Sequence, residues 1–194
     1  SCRFSIEKRL YLIMDKSYKG KLLISTPDLS SDIFSRSVIL IIDHNENGAF
    51  GLILNKKNDI ATHALRHIFG SEIEVFDGGP VENDKTFFIV RGQPITDFYM
   101  KLDNDFYITE DLENIVKAVI GGEIPLDHMK IFSGYSGWSK DQLESEIDKK
   151  HWTVVDVYQM DYTNNDPNLW KNIMQNLGGE FLIWSNAPND ISMN

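Results

Sequence analysis

Apolar residues in this chain come mostly in short runs, closed off by glycine and small polar residues, and runs of that length favour strands over helices. Residues 21–25 and 37–43 are rich in Ile, Leu and Val, the composition of buried strands. His44-Asn45-Glu46-Asn47-Gly48 then supplies turn chemistry and an apolar run returns over 50–54, so residues 37–55 are expected to form a β-hairpin. Further strands are expected at 74–76, 86–91, 98–102, 106–108, 130–132 and 151–157.

Helical spacing appears four times. Ala64, Leu65 and Ile68 share one face of a helix over 62–69 that stops at Gly70. Leu112, Ile115, Val116 and Val119 form the apolar face of a second helix, begun by Thr109 and ended by Gly121-Gly122. Ser139 and Gln142 have the spacing of a capping box, and Leu143 with Ile147 gives the helix behind it a buried stripe. Lys140, Asp141, Glu144 and Lys150 then read as its solvated face. Asp166-Pro167 supplies an N-cap and first-turn proline for a last helix carrying Leu169, Trp170, Ile173 and Leu177 up to Gly178-Gly179. Residues 1–19 are expected to be an arm or short helix and residues 186–194 a loose tail. Hairpins among interspersed helices point to α+β with mainly antiparallel pairing and not to a doubly wound sheet.

Composition narrows the function classes. The 194 residues, 42% hydrophobic and 25% charged, suit one domain over residues 1–194. A formal charge of -10, with lysine and arginine scattered, opposes direct nucleic-acid binding, which needs clustered cations to neutralise phosphates. The single cysteine, Cys2, allows no internal disulfide or cysteine metal cluster, in keeping with a reducing cytoplasm. The apolar run at 10–14 is shorter than a signal-peptide core or a membrane span, so neither export nor a membrane anchor is expected.

Two glycine-centred segments stand out, Asp77-Gly78-Gly79-Pro80-Val81 and Ser133-Gly134-Tyr135-Ser136-Gly137-Trp138. Each follows an apolar run and reads as a strand entering a tight turn, where glycine serves a positive φ or lets another group pack on bare backbone. With residues 20–27, 34–38 and 48–52 and Asn55, the ordered set resembles the AlgH/YqgE family of small bacterial proteins, over residues 20–152. That resemblance implies a bent, mixed and mainly antiparallel sheet forming a pseudo-barrel with helices packed outside. It also brings the label of transcriptional regulator, without catalytic residues.

Ser136 lies between a predicted strand and helix, the context of a hydrolase nucleophile elbow, and Asp43-His44 could complete a triad, but Trp138 stands where the pattern requires glycine. His63 and His67 are four apart on a predicted helix, without the glutamate of a zinc-protease motif or a third ligand at metal spacing. No metal or cofactor is expected. The glycine pairs 48/51 and 78/79 lack the lysine and hydroxyl residue of a phosphate loop. Arg36, Asn55 and Gln142 are polar where burial is expected, suited to a ligand or to backbone carbonyls. Phe76, Phe87, Phe88, Tyr135, Trp138 and Trp152 suit a core. The expected function is binding of a protein partner or small ligand at one surface comprising Arg36, Asn55, Gly78, Gly79, Pro80, Tyr135, Ser136, Gly137, Trp138 and Gln142; the alternative is a hydrolase-like enzyme at the same two segments.

Overall fold

A computed structural model describes residues 17–26 and 33–186. The expected arm over 1–19 falls outside these residues up to Lys16, and the expected tail does so beyond Asn186. The strands are β1 (Leu22–Ser25), β2 (Val38–Asn45), β3 (Gly48–Ile53), β4 (Val75–Asp77), β5 (Val81–Arg91), β6 (Met100–Lys101), β7 (Phe106–Thr109), β8 (Met129–Ser139) and β9 (Trp152–Val155). The helices are α1 (Asp59–Phe69), α2 (Leu112–Ile120), α3 (Gln142–Asp148), α4 (Leu169–Leu177) and α5 (Glu180–Asn186).

One mixed sheet, mainly antiparallel, runs β6-β7-β5-β8-β3-β2-β1-β9, with β4 added in parallel against β8. It curls into a half-barrel with helices packed on it, the α+β architecture expected. The 37–55 hairpin is present: Ile39 faces Ile53 and Asn45 faces Gly48, with Asn47 N–H donating to Asn45 Oδ1 at the turn.

Both sheet faces are covered, which is why the run 38–42 is apolar without alternation. Val38, Leu40 and Ile42 join Leu52, Phe87, Ile89 and Phe132 in a core beneath Trp170 and Met174 of α4. Ile39 and Ile41 face the other way, onto Trp138, Leu143 and Trp152. A third cluster packs Phe88, Val90 and Ile131 against Phe69 of α1 and Ile115 of α2.

Several boundaries depart from the sequence expectation. The segment 133–138 is no turn: β8 runs unbroken through it. Thr109 ends β7, and Asp111 caps α2 by accepting from the Asn114 N–H at 3.2 Å. Only half of the expected capping box forms, Gln142 Oε1 accepting from the Ser139 N–H at 3.0 Å, because Ser139 still belongs to β8 and α3 starts after Asp141, at φ 62°. Asp166 stands two residues ahead of the α4 N-cap, accepting from the Asn168 N–H at 2.9 Å, and α5 continues the helical structure beyond the two glycines that were expected to end it.

Candidate functional site

The two glycine-centred segments touch. Strand β4 lies on one side of β8 and β5 on the other, so Gly78, Gly79 and Pro80 must carry the chain across β8. The backbones meet without side chains between them. A Cβ on Gly78 would stand 2.2 Å from the Gly134 carbonyl oxygen, and one on Gly79 2.3 Å from the carbonyl carbon of Tyr135. Gly79 (φ 149°) and Gly134 (φ 71°) also occupy the left-handed side of backbone space. Gly137, expected to be special in the same way, is not among the positive-φ glycines; its place opposite Phe50 in β3 gives it a different use.

Ser136 fastens the crossing. Its Oγ is fully buried and donates to the Gly78 carbonyl at 3.1 Å, while Gly78 N–H donates to Ser133 O at 2.9 Å. A hydroxyl so placed meets no solvent-borne substrate, which removes the elbow reading. His44 is likewise committed: Nδ1 accepts from the Tyr18 N–H at 2.9 Å, so Nε2 carries the proton donated to Glu144 at 2.6 Å. Glu144, read from sequence as part of a solvated face, is therefore one half of a side-chain bond.

Beside the crossing opens a groove of about 1120 Å³. Its floor is a triangle of rings: Phe50 lies 5.5 Å from Phe87 and 5.0 Å from Tyr135, and Phe87 lies 6.0 Å from Tyr135. Gly137, bare and exposed, leaves the space above Tyr135 open; a Cβ there would stand 3.4 Å from the Tyr135 ring. The opposite wall is Phe98, Tyr99 and Met100, of which Phe98 is 77% exposed. That backbone is pinned, with Phe98 N–H donating to Thr96 Oγ1 at 3.1 Å and Phe98 O accepting from Thr109 Oγ1.

The rim is acidic. Asp43, Glu110 and Asp111 line the groove against one cation, Lys85, which reaches Glu82 at 3.4 Å and Glu110 at 3.5 Å. Those two carboxylates, Glu110 foremost, raise the Lys85 ammonium above its ordinary value. Burial and then Glu82 push the Tyr135 phenol up. Hydrogen bonds from the Asn114 side chain and Thr96 hold Asp111 low, so it stays ionised near neutrality.

The structure thus places Tyr135, Gly137 and Trp138 on the groove and Gly78, Gly79 and Ser136 in the crossing behind it; Pro80 leads from the crossing into β5. Arg36 and Asn55 do not line the groove. Asn55 Nδ2 donates to Arg36 O at 2.8 Å and its Oδ1 accepts from Val38 N–H at 2.9 Å, while the Arg36 guanidinium lies 5.0 Å over the Trp170 ring. Gln142 is exposed and donates to Glu146 at 3.0 Å. His63 and His67 are both exposed on α1 with ring centres 5.6 Å apart, and no group of three or more potential metal ligands occurs among the described residues. Sequence reasoning did not single out Phe98, Tyr99, Met100 and Lys85 for the site. The available signal was three large apolar residues in a row at 98–100; the strand expected over 98–102 shrinks to β6, Met100–Lys101, so Phe98 and Tyr99 lie in the loop ahead of it. Among the described residues no helix is long and apolar enough to cross a membrane.

Comparison with known proteins supplies relatives of this architecture. A UPF0301 protein of Cytophaga hutchinsonii is 37% identical over 179 residues, 91% of this chain and 98% of that protein. One from Chlamydia caviae is 30% identical, covering 95% and 97% of the two chains. The solution structure of the AlgH protein from Pseudomonas aeruginosa superposes with a TM-score of 0.71 at 21% identity, over 90% of this chain and 96% of that one, a likeness of fold. A crystal structure of a protein from Corynebacterium diphtheriae gives 0.70 at 25% identity, over 87% and 92%. A sequence model described as AlgH-like matches residues 22–182, and on these grounds the chain belongs to the AlgH-like family.

Proposed function

We propose that this protein works by binding, seating a partner or apolar ligand in the groove between the β2–β3 hairpin, β8 and the wall formed by Phe98, Tyr99 and Met100. The observation that carries this reading is a cleft of about 1120 Å³ floored by three touching aromatic rings, with Phe98 presented to solvent on a pinned backbone. Large apolar side chains left exposed beside a concave surface mark interaction sites. The transcriptional-regulator label that came with the family resemblance is accommodated as contact with a protein or metabolite in the cytoplasm. A charge of -10 and a carboxylate rim oppose contact with duplex DNA.

Nile red, a neutral dye that fluoresces in apolar surroundings, tests the groove directly. Saturable binding to the folded chain is expected, lost in Gly137→Leu, whose side chain fills the space above Tyr135, and weakened in Phe98→Ser. Dye binding that ignores both substitutions in folded protein would move the site elsewhere.

A further inference from the structure

The groove reading says that something apolar binds; the chemistry around the groove says more about what. Three carboxylates, Asp43, Glu110 and Asp111, stand at its rim; Lys19 lies 4.0 Å from Asp43 at the margin, and the one lysine lining the groove, Lys85, is already bridged to Glu82 and Glu110, so the carboxylates still outnumber the ammonium groups. The potential there is negative, within a chain carrying -10 overall. Below the rim lie the rings of Phe50, Phe87 and Tyr135, and aromatic faces attract cations. An anionic ligand meets repulsion at every approach. A second copy of the chain, docking through this same face, would bring matching carboxylates together.

The backbone adds a direction. Strand β5 pairs with β8 only as far as Val81 opposite Tyr135, because residues 78–80 have left that side to cross over. From Ser136 to Ser139, β8 is paired by β3 alone, and Gly137 and Trp138 border the groove. An extended segment can therefore lie alongside the end of β8, with alternate side chains falling on the ring floor and toward the rim.

Resting on the groove reading, we propose that the occupant is an extended, amphipathic and cationic segment of a partner protein, alternating apolar residues with lysine or arginine. Its apolar side chains pack against Phe98 and the ring floor, and its cations reach Glu110, Asp43 and Asp111.

The test uses two short fluorescein-labelled peptides, one alternating valine with lysine and one alternating valine with glutamate, titrated against the full chain by fluorescence anisotropy. The lysine peptide is expected to bind at least about ten-fold more tightly than its acidic counterpart and to weaken as salt is raised past about 0.15 M. Its binding is expected to fall about ten-fold in Glu110→Lys and in Phe98→Ser, both exposed positions. Equal affinity for the two peptides, or lysine-peptide binding indifferent to both substitutions, overturns the proposal. So does sedimentation showing a dimer that Phe98→Ser dissociates, which assigns the wall to a second copy. Nile red separates the two levels: groove-dependent dye binding without lysine preference sinks only the cationic partner, whereas loss of both removes the groove as well.

Discussion

A methyl group on Gly134 would lie 2.5 Å from the carbonyl oxygen of Gly79, so two residues far apart in sequence are glycine for a single reason. Their backbones cross in contact. Gly134→Ala and Gly79→Ala are each expected to cost more than about 3 kcal/mol, from steric overlap and from a φ that alanine resists. Gly137→Ala should cost less than about 1 kcal/mol, since its nearest neighbour is the edge of a ring at 3.4 Å. Urea denaturation of the three variants checks this, and equal losses at all three positions would discard the crossing as the explanation.

Glu146 gathers the two buried tryptophans of the outer cluster. Its Oε2 accepts from Trp138 Nε1 at 2.8 Å and Trp152 Nε1 at 2.9 Å, and its Oε1 accepts from Gln142. Glu146→Ala leaves two buried indole N–H groups without their acceptor, at an expected loss of about 2–4 kcal/mol. Glu146→Gln keeps an acceptor and should lose less. Tryptophan emission and chemical denaturation read both effects; an alanine variant as stable as the glutamine variant would show that the shared bond contributes nothing.

Lys130 provides a pH signature. Its ammonium is buried, donating to Leu54 O at 2.6 Å and Asn164 O at 3.0 Å with the Phe76 ring face 4.0 Å away, and burial lowers it from 10.5 to about 7. The folded pKa lies below the unfolded one, so between pH 7 and 10.5 the unfolded chain binds more protons and stability rises with pH. Relative to Lys130→Met, which lacks the titrating group, the parent protein should gain about 1–2 kcal/mol from pH 7.5 to 9. A difference that stays flat or falls across that window would mean that the two carbonyls and the ring hold the ammonium charged.

No specific duplex binding is expected near physiological salt, because a surface of this charge repels phosphates. Mobility-shift titrations should show no complex below about 10 µM in 0.15 M salt. Tight, salt-sensitive binding to one DNA site would make the regulatory label literal.

The sequence made the hairpin of residues 37–55 legible because its signals are local: two β-rich runs flank Asn45 and Gly48. It also brought forward both glycine segments. What it could not tell was their use, since a glycine that bends a chain and one that admits another backbone look alike until the second backbone is known. Hence 133–138 read as a turn and is a strand. The same limit hid the bond from His44 to Glu144, which are 100 residues apart, and the exposure of Phe98, which stands in the loop ahead of β6 and not in the strand expected there.

The route of residues 78–80 across β8 also constrains how the molecule assembles. Strands β4 and β5 follow one another so closely that they would be taken for a hairpin, yet they end up two strand spacings apart, about 10 Å, with a later segment between them. A nascent chain that has not yet supplied Met129–Ser139 holds two strands with their shared partner missing and Phe87 and Ile89 on an unsatisfied edge. Closure must wait for contacts between distant segments, so folding should be slow and its last step should be the insertion of β8. Once seated, Ile131 and Phe132 are flanked on both sides, and their amide hydrogens should exchange only when the whole domain opens.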